Sequence, residues 1–202
     1  TVTGVQTCAL PISIANLSRN KANEYNEDFN YAIAEATDPG STMKLASLLT
    51  AMDDGFVDLD DTVFVGNGKY QFFGQKMEDS HAPHKTKLTV KEAFMTSSNV
   101  GISKIIYRNY AKHPENFIQG LKDLHLNEAL GLQIQGEGSP RIKNITDKDW
   151  SNVSLPWISI GYETQLTPLQ ILTLYNAVAN NGRMVKPLFV KEIRDRKSTR
   201  LN

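Results

Sequence analysis

Apolar residues at Met43, Leu45, Ala46, Leu48, Leu49 and Met52 recur at the spacing of a helix that starts at Ser41 and is buried on most of its surface, and Gly55 supplies its stop. Thr89, with Glu92 three residues on, makes the capping box of a second helix. Val100 to Tyr110, with Ile102, Ile105, Ile106 and Tyr107, predicts a third, and Pro114 opens a fourth over Glu115 to Leu124. Thr167-Pro168 starts another, running through Leu169, Leu172, Leu174 and Val178 to Asn180-Asn181-Gly182. Strand signals are fewer. Ile14 to Leu17 reads as the tail of a strand, and Val63, Val65, Tyr70 and Phe72 around Gly66-Asn67-Gly68 read as a small hairpin within Thr62 to Phe73. Ser18 to Asn30 is a polar stretch, Tyr31 to Ala36 a short apolar one ended by Asp38-Pro39-Gly40, and residues 131–150 have Gly, Pro and Asn with the weak periodicity of a loop. The pattern is mostly helical with minor β.

Composition narrows the class. The 202 residues suit one domain, or one and a part, and 40% hydrophobic with 22% charged residues is the balance of a globular chain, not a disordered or collagen-like one. With 22 basic and 22 acidic residues, no net charge draws the chain to nucleic acid or anionic lipid. No apolar run approaches the roughly 18–20 residues that cross a bilayer. A single cysteine, Cys8, excludes an internal disulfide framework and a multi-cysteine zinc site. The ends, residues 1–13 and 195–202, do not continue the pattern beside them and resemble translated sequencing-adapter DNA. They are expected to be non-native tails around a partial domain of residues 14–194.

The sharpest chemical feature is Pro39-Gly40-Ser41-Thr42-Met43-Lys44. A Ser and a Lys three apart at a helix start share one face, one turn apart. A serine hydroxyl is a poor nucleophile until a base takes its proton, and only a neutral lysine can do that. Burial and the positive end of the helix dipole both push a lysine toward neutrality, and the Ser41 N–H at the same helix start can point at an oxyanion. By itself the spacing is weak, since a capping serine with a solvated lysine is the common case. The second feature, Ser97-Ser98-Asn99, lies between two helical segments. Its hydroxyl and amide can pass a proton and hold a substrate amide, although an isolated Ser-x-Asn is usually a helix cap.

In this order the two motifs resemble the penicillin-binding transpeptidases, serine acyltransferases with Ser-x-x-Lys, Ser-x-Asn and Lys-[Ser/Thr]-Gly. The likeness extends from Glu35 to Leu45, from Thr96 to Lys104, and through Ser159-Ile160-Gly161-Tyr162 to Leu166-Thr167-Pro168-Leu169-Gln170. It implies an α/β (α+β) fold, of which this chain is the mostly helical part of a β-lactamase-like transpeptidase domain without the C-terminal strands of the central antiparallel sheet. It also implies a class B peptidoglycan D,D-transpeptidase that cross-links the cell wall through a serine acyl-enzyme and binds penicillin covalently. Ser41 is then the acylated nucleophile, Lys44 its base, Ser97 a partner in proton transfer and Asn99 the residue that binds the substrate peptide. No cofactor or metal is implied. The implied partners are peptidoglycan stem peptides, β-lactam antibiotics and a membrane cell-wall synthesis complex, with no nucleic acid. The implied location is the outer (periplasmic) side of the cytoplasmic membrane, through an anchor and pedestal domain outside this stretch.

The third motif is absent. Lys85-Thr86-Lys87 has the wrong third residue and precedes the Ser-x-Asn, and Lys197-Ser198-Thr199 lacks the Gly. The chain therefore reads as a fragment that is inactive by itself. A serine β-lactamase is the nearest rival, but Ser98 stands where a β-lactamase has Asp, and there is no Glu-x-x-Leu-Asn segment. A non-catalytic β-lactam sensor is a rival of another class.

The remaining candidates read blandly. His81-Ala-Pro-His84 has Pro83 where helical metal ligands need regular geometry. Gly66-Asn67-Gly68 and Gly136-Glu137-Gly138 lack the third glycine of a dinucleotide loop and read as turns. Asp53, Asp54, Asp58, Asp60 and Asp61 lack calcium-loop spacing and read as a solvated helix end. Trp150 and Trp157 read as core packing.

Overall fold

The computed structural model describes residues 8–9, 16–27 and 29–189. Both expected tails lie outside this range apart from the strand residues Cys8–Ala9, as do Ile14 and Ala15 of the expected first strand. Seven α-helices stand among the described residues: α1 (Tyr31–Ala34), α2 (Met43–Asp53), α3 (Val90–Met95), α4 (Asn99–Tyr110), α5 (Pro114–Asp123), α6 (Ser154–Ile158) and α7 (Pro168–Ala179). With short two-stranded pairings between them, the fold is mixed α/β. The chain divides into two compact units.

One unit is formed by residues 1–36, 129–139 and 167–202. In it α1 packs on α7, and the polar stretch after Asn16 forms an antiparallel hairpin, Leu17–Arg19 with Tyr25–Glu27. That hairpin is solvent-facing on most of its positions, so it leaves no alternation of apolar residues in the sequence. Helix α7 starts as expected: Thr167 accepts from the Gln170 amide and Gln170 reaches back to the Thr167 amide, with Pro168 at the first helical position.

The second unit, residues 37–128 and 140–166, holds the candidate motifs. Its core is helical. Met43, Ala46, Leu48 and Ala51 of α2 are buried, as are Val100, Ile102, Ile105 and Ile106 of α4 and Phe117, Ile118 and Leu121 of α5, and α2 packs on both of the others. The Thr89–Glu92 capping box of α3 is present in both directions. The acidic end of α2 is more than a solvated terminus, because Asp54 accepts a hydrogen bond from the buried Tyr110 hydroxyl.

Two sequence expectations about strands differ from the structure. The hairpin around Gly66-Asn67-Gly68 does not form. Thr62–Phe64 pairs instead with the distant Lys87–Thr89, which places Val63 opposite Leu88, both buried. That apolar pair outweighs local turn propensity. The actual hairpin joins Lys69–Phe72 to Gln75–Glu78 through Phe73-Gly74, both left-handed at φ 49° and 83°, a turn whose Phe disguises it in the sequence. In the expected loop 131–150, Arg141–Ile142 pairs antiparallel with Thr164–Gln165. Helix α6 had no periodic signal at five residues long.

Candidate active site

Gly40 is left-handed at φ 55°, and the chain then turns through a 3₁₀ segment, Gly40–Thr42, before α2 begins at Met43. The helix expected from Ser41 thus starts two residues later. The cause is partly tertiary and partly local: the Gly40 amide donates to the distant Gly161 carbonyl at 3.1 Å, and the Thr42 hydroxyl closes onto the Pro39 carbonyl at 2.7 Å, so this turn is tied sideways rather than along the helix axis. Ser41 is exposed at the tip. One turn on, Lys44 is only 1% exposed.

Behind the Ser41 turn runs the segment after α6. The Ser47 hydroxyl donates to the Ser159 carbonyl at 2.8 Å, and Gly161 lies against Gly40 at φ 91°. A Cβ on Gly161 would sit 2.0 Å from the Gly40 oxygen. Only glycine permits that approach.

The Ser97-Ser98-Asn99 turn joins α3 to α4. Ser97 adopts the left-handed region at φ 54°, uncommon for a residue with a Cβ and frequent at functional turns. Ser98 is buried and caps α4, its oxygen accepting from the Gly101 amide at 2.8 Å. The Asn99 side chain donates to the Glu78 carbonyl at 2.8 Å.

The structure brings Lys44 and Ser97 together: Lys44 Nζ donates to the Ser97 carbonyl at 2.6 Å and to its hydroxyl at 2.9 Å. No hydrogen bond joins Ser41 to Lys44 among the described residues. Burial lowers the Lys44 pKa, the charge of Asp79 raises it in part, and the result is about 8. A lysine in that range is charged at rest yet within reach of the neutral form, as proton transfer near neutral pH requires.

Sequence reading missed Asp79 and the packing role of Gly161. Asp79 follows the strand Gln75–Glu78 in a polar run with nothing in its spacing to mark it, and its partners, Ser98 and Val100, are 19 and 21 residues away. No cluster of three or more His, Cys, Asp or Glu placed to hold a metal ion occurs among the described residues, and no helix among them is long and apolar enough to cross a membrane.

The site thus consists of a serine turn leading into a buried lysine, with a second serine hydroxyl on that lysine. The chain belongs to the penicillin binding protein transpeptidase domain family, whose model matches residues 11–202. It is 28% identical over 162 residues to penicillin-binding protein PbpB of Mycolicibacterium smegmatis, covering 80% of this chain and 24% of that protein. It is 26% identical over 164 residues to peptidoglycan D,D-transpeptidase FtsI of Escherichia coli K12, covering 81% of this chain and 26% of FtsI. The chain thus spans about a quarter of the length of these curated relatives. Among solved structures, the TP domain of Burkholderia pseudomallei penicillin-binding protein 3 superposes with a TM-score of 0.71 at 24% identity, over 85% of this chain and 49% of that one. That match extends the fold assignment to most of the chain.

Proposed function

We propose that this chain carries the nucleophile half of a peptidoglycan D,D-transpeptidase site, within a partial transpeptidase domain of residues 14–194. The observation that carries the reading is the buried Lys44 ammonium on Ser97, one turn from the exposed Ser41. Ser41 Oγ attacks the carbonyl carbon of the terminal D-Ala-D-Ala amide, and its proton passes to neutral Lys44. The amide C–N bond breaks, and the leaving D-Ala amine takes a proton through Ser97 from Lys44. The amine of a neighbouring stem peptide then attacks the acyl-Ser41 ester, gives up its proton along the same route and restores the Ser41 hydroxyl. Asn99 holds the substrate amide. The absence of a resting Ser41–Lys44 bond fits this course, since such bonds tighten when substrate binds.

The partners in this reading are peptidoglycan stem peptides, β-lactams that acylate the same serine, and other proteins of a cell-wall synthesis complex. The location is the outer face of the cytoplasmic membrane. FtsI and PbpB among the relatives favour a transpeptidase over a β-lactamase or a sensor. The test uses protein that carries residues 14–194 together with a Lys-[Ser/Thr]-Gly strand. A labelled penicillin is expected on the tryptic peptide containing Ser41, and an adduct on another serine sinks the assignment. Because the neutral base is the active form, the capture rate should climb with pH to a plateau with a midpoint near 8. A profile flat from pH 6 to about 9 contradicts a lysine base.

A further inference from the structure

Two adjacent residues at the end of the Gln75–Glu78 strand hold the turn that carries the second motif. The Asp79 carboxylate accepts from the Ser98 hydroxyl with Oδ2 and from the Val100 amide with Oδ1, both at 2.9 Å. The Glu78 carbonyl accepts from Asn99. Asp79 is itself pinned: its amide donates to the Gly68 carbonyl at 2.8 Å, and a Cβ on Gly68, at φ 78°, would lie 3.2 Å from the Asp79 Cβ and 2.9 Å from Pro83. The hairpin that delivers it is anchored by Phe72, edge-on to Tyr107 of α4 at 5.3 Å and to Trp157 of α6 at 6.3 Å. Two hydrogen bonds from the start of α4 therefore converge on one carboxylate that no motif contains.

We propose that Asp79 is the positioning residue of this site, clamping the left-handed Ser97-Ser98-Asn99 turn onto the start of α4 and fixing Ser97 against Lys44. Its anion also sits where the positive end of α4 favours it. Asp79 is the charged group that acts on Lys44. On the neighbouring elements, α2 has Asp53 at its opposite end, α3 has Lys91 and Glu92, α5 has Glu115, Lys122 and Asp123, and α4 has Arg108 and Lys104, the latter turned to the Phe64 carbonyl. The role rests on the acyl-transfer reading above, so its test has one readout independent of activity.

In the chain itself, the Lys44 side chain is titrated by NMR in wild type and in Asp79→Asn. The midpoint is expected near 8 in wild type and at lower pH in the variant, because the anion that favours the ammonium is gone. In protein that also carries a Lys-[Ser/Thr]-Gly strand, penicillin capture by Asp79→Asn should fall at least about tenfold, since asparagine can accept only one of the two bonds and the turn loosens. A carboxylate with a merely structural role leaves the Lys44 midpoint where it was, and that result overturns the proposal, as does unchanged capture. A shifted midpoint with no capture even in wild type supports the placement of Asp79 and overturns the reaction instead. Should Asp79→Asn not fold, Ser98→Ala removes one of the two bonds to the carboxylate, together with the Ser98 cap on α4, and keeps the charge. It should lower capture with the Lys44 midpoint unmoved, and either a moved midpoint or full capture counts against the clamp.

Discussion

Lys44→Met is expected to leave the chain folded and to cut acylation of Ser41 by at least about 10²-fold, the usual range for losing a positioned base. At pH 7 a lysine titrating near 8 is neutral in about one molecule in ten, against about one in three thousand at its ordinary 10.5. Burial thus supplies most of the usable base, and methionine keeps the buried volume without the proton acceptor. Stability should move the other way. The folded pKa lies below the unfolded one, so between pH 8 and 10.5 the unfolded chain holds more protons, and wild-type stability rises with pH across that window. Lys44→Met should lack this rise and be at least as stable as wild type at pH 7, having no ammonium to bury. Single-turnover capture of a labelled penicillin and thermal unfolding across pH measure both. Capture within about threefold of wild type places the base elsewhere.

Gly161→Ala should be the most damaging single-methyl change in the second unit. The new Cβ meets the Gly40 oxygen at 2.0 Å and its carbon and nitrogen at 2.6 Å, all backbone, so no side chain can swing aside. Left-handed strain adds about 1 kcal/mol, and forced movement of the Gly40 turn adds about 1–3 more. That is a large fraction of a typical folding free energy of about 5–15 kcal/mol. Gly74→Ala is the control, because Gly74 has a similar φ of 83° with nothing within 4 Å of its built Cβ. The control should lose only the strain. In urea unfolding, equal losses for the two variants would show that the Gly40 turn yields freely, and the packing argument for Ser41 would fail. Labelling of Ser41 should fall with Gly161→Ala even where the folded state survives, since the displaced turn carries the nucleophile.

Sequence patterns located the helices well where apolar periodicity and caps agreed. Thr89–Glu92 and Thr167–Gln170 each form the expected box, and α2, α4, α5 and α7 lie where their apolar stripes predict, within a residue or two. Pairings were less legible. Gly66-Asn67-Gly68 is a strong local hairpin signal that lost to the distant Val63–Leu88 pair, and Phe73-Gly74 is a weak signal that nevertheless makes the hairpin. Strands of two or three residues, such as Arg141–Ile142, are too short for alternation to register.

At the site, the sequence by itself determined the chemistry available: a serine and a lysine one turn apart, a Ser-x-Asn in the right order, and glycine at positions 40 and 161. Those are properties of residue type and spacing along one helix or turn, which local backbone geometry converts directly into shared faces. Tertiary structure decided the rest. Whether Lys44 is a solvated cation or a base depends on its burial, and which hydroxyl it meets depends on the left-handed Ser97. The carboxylate that holds that turn comes from a hairpin distant in sequence. Burial, a carbonyl acceptor and a neighbouring charge act through space, and spacing along the chain carries no record of such proximity.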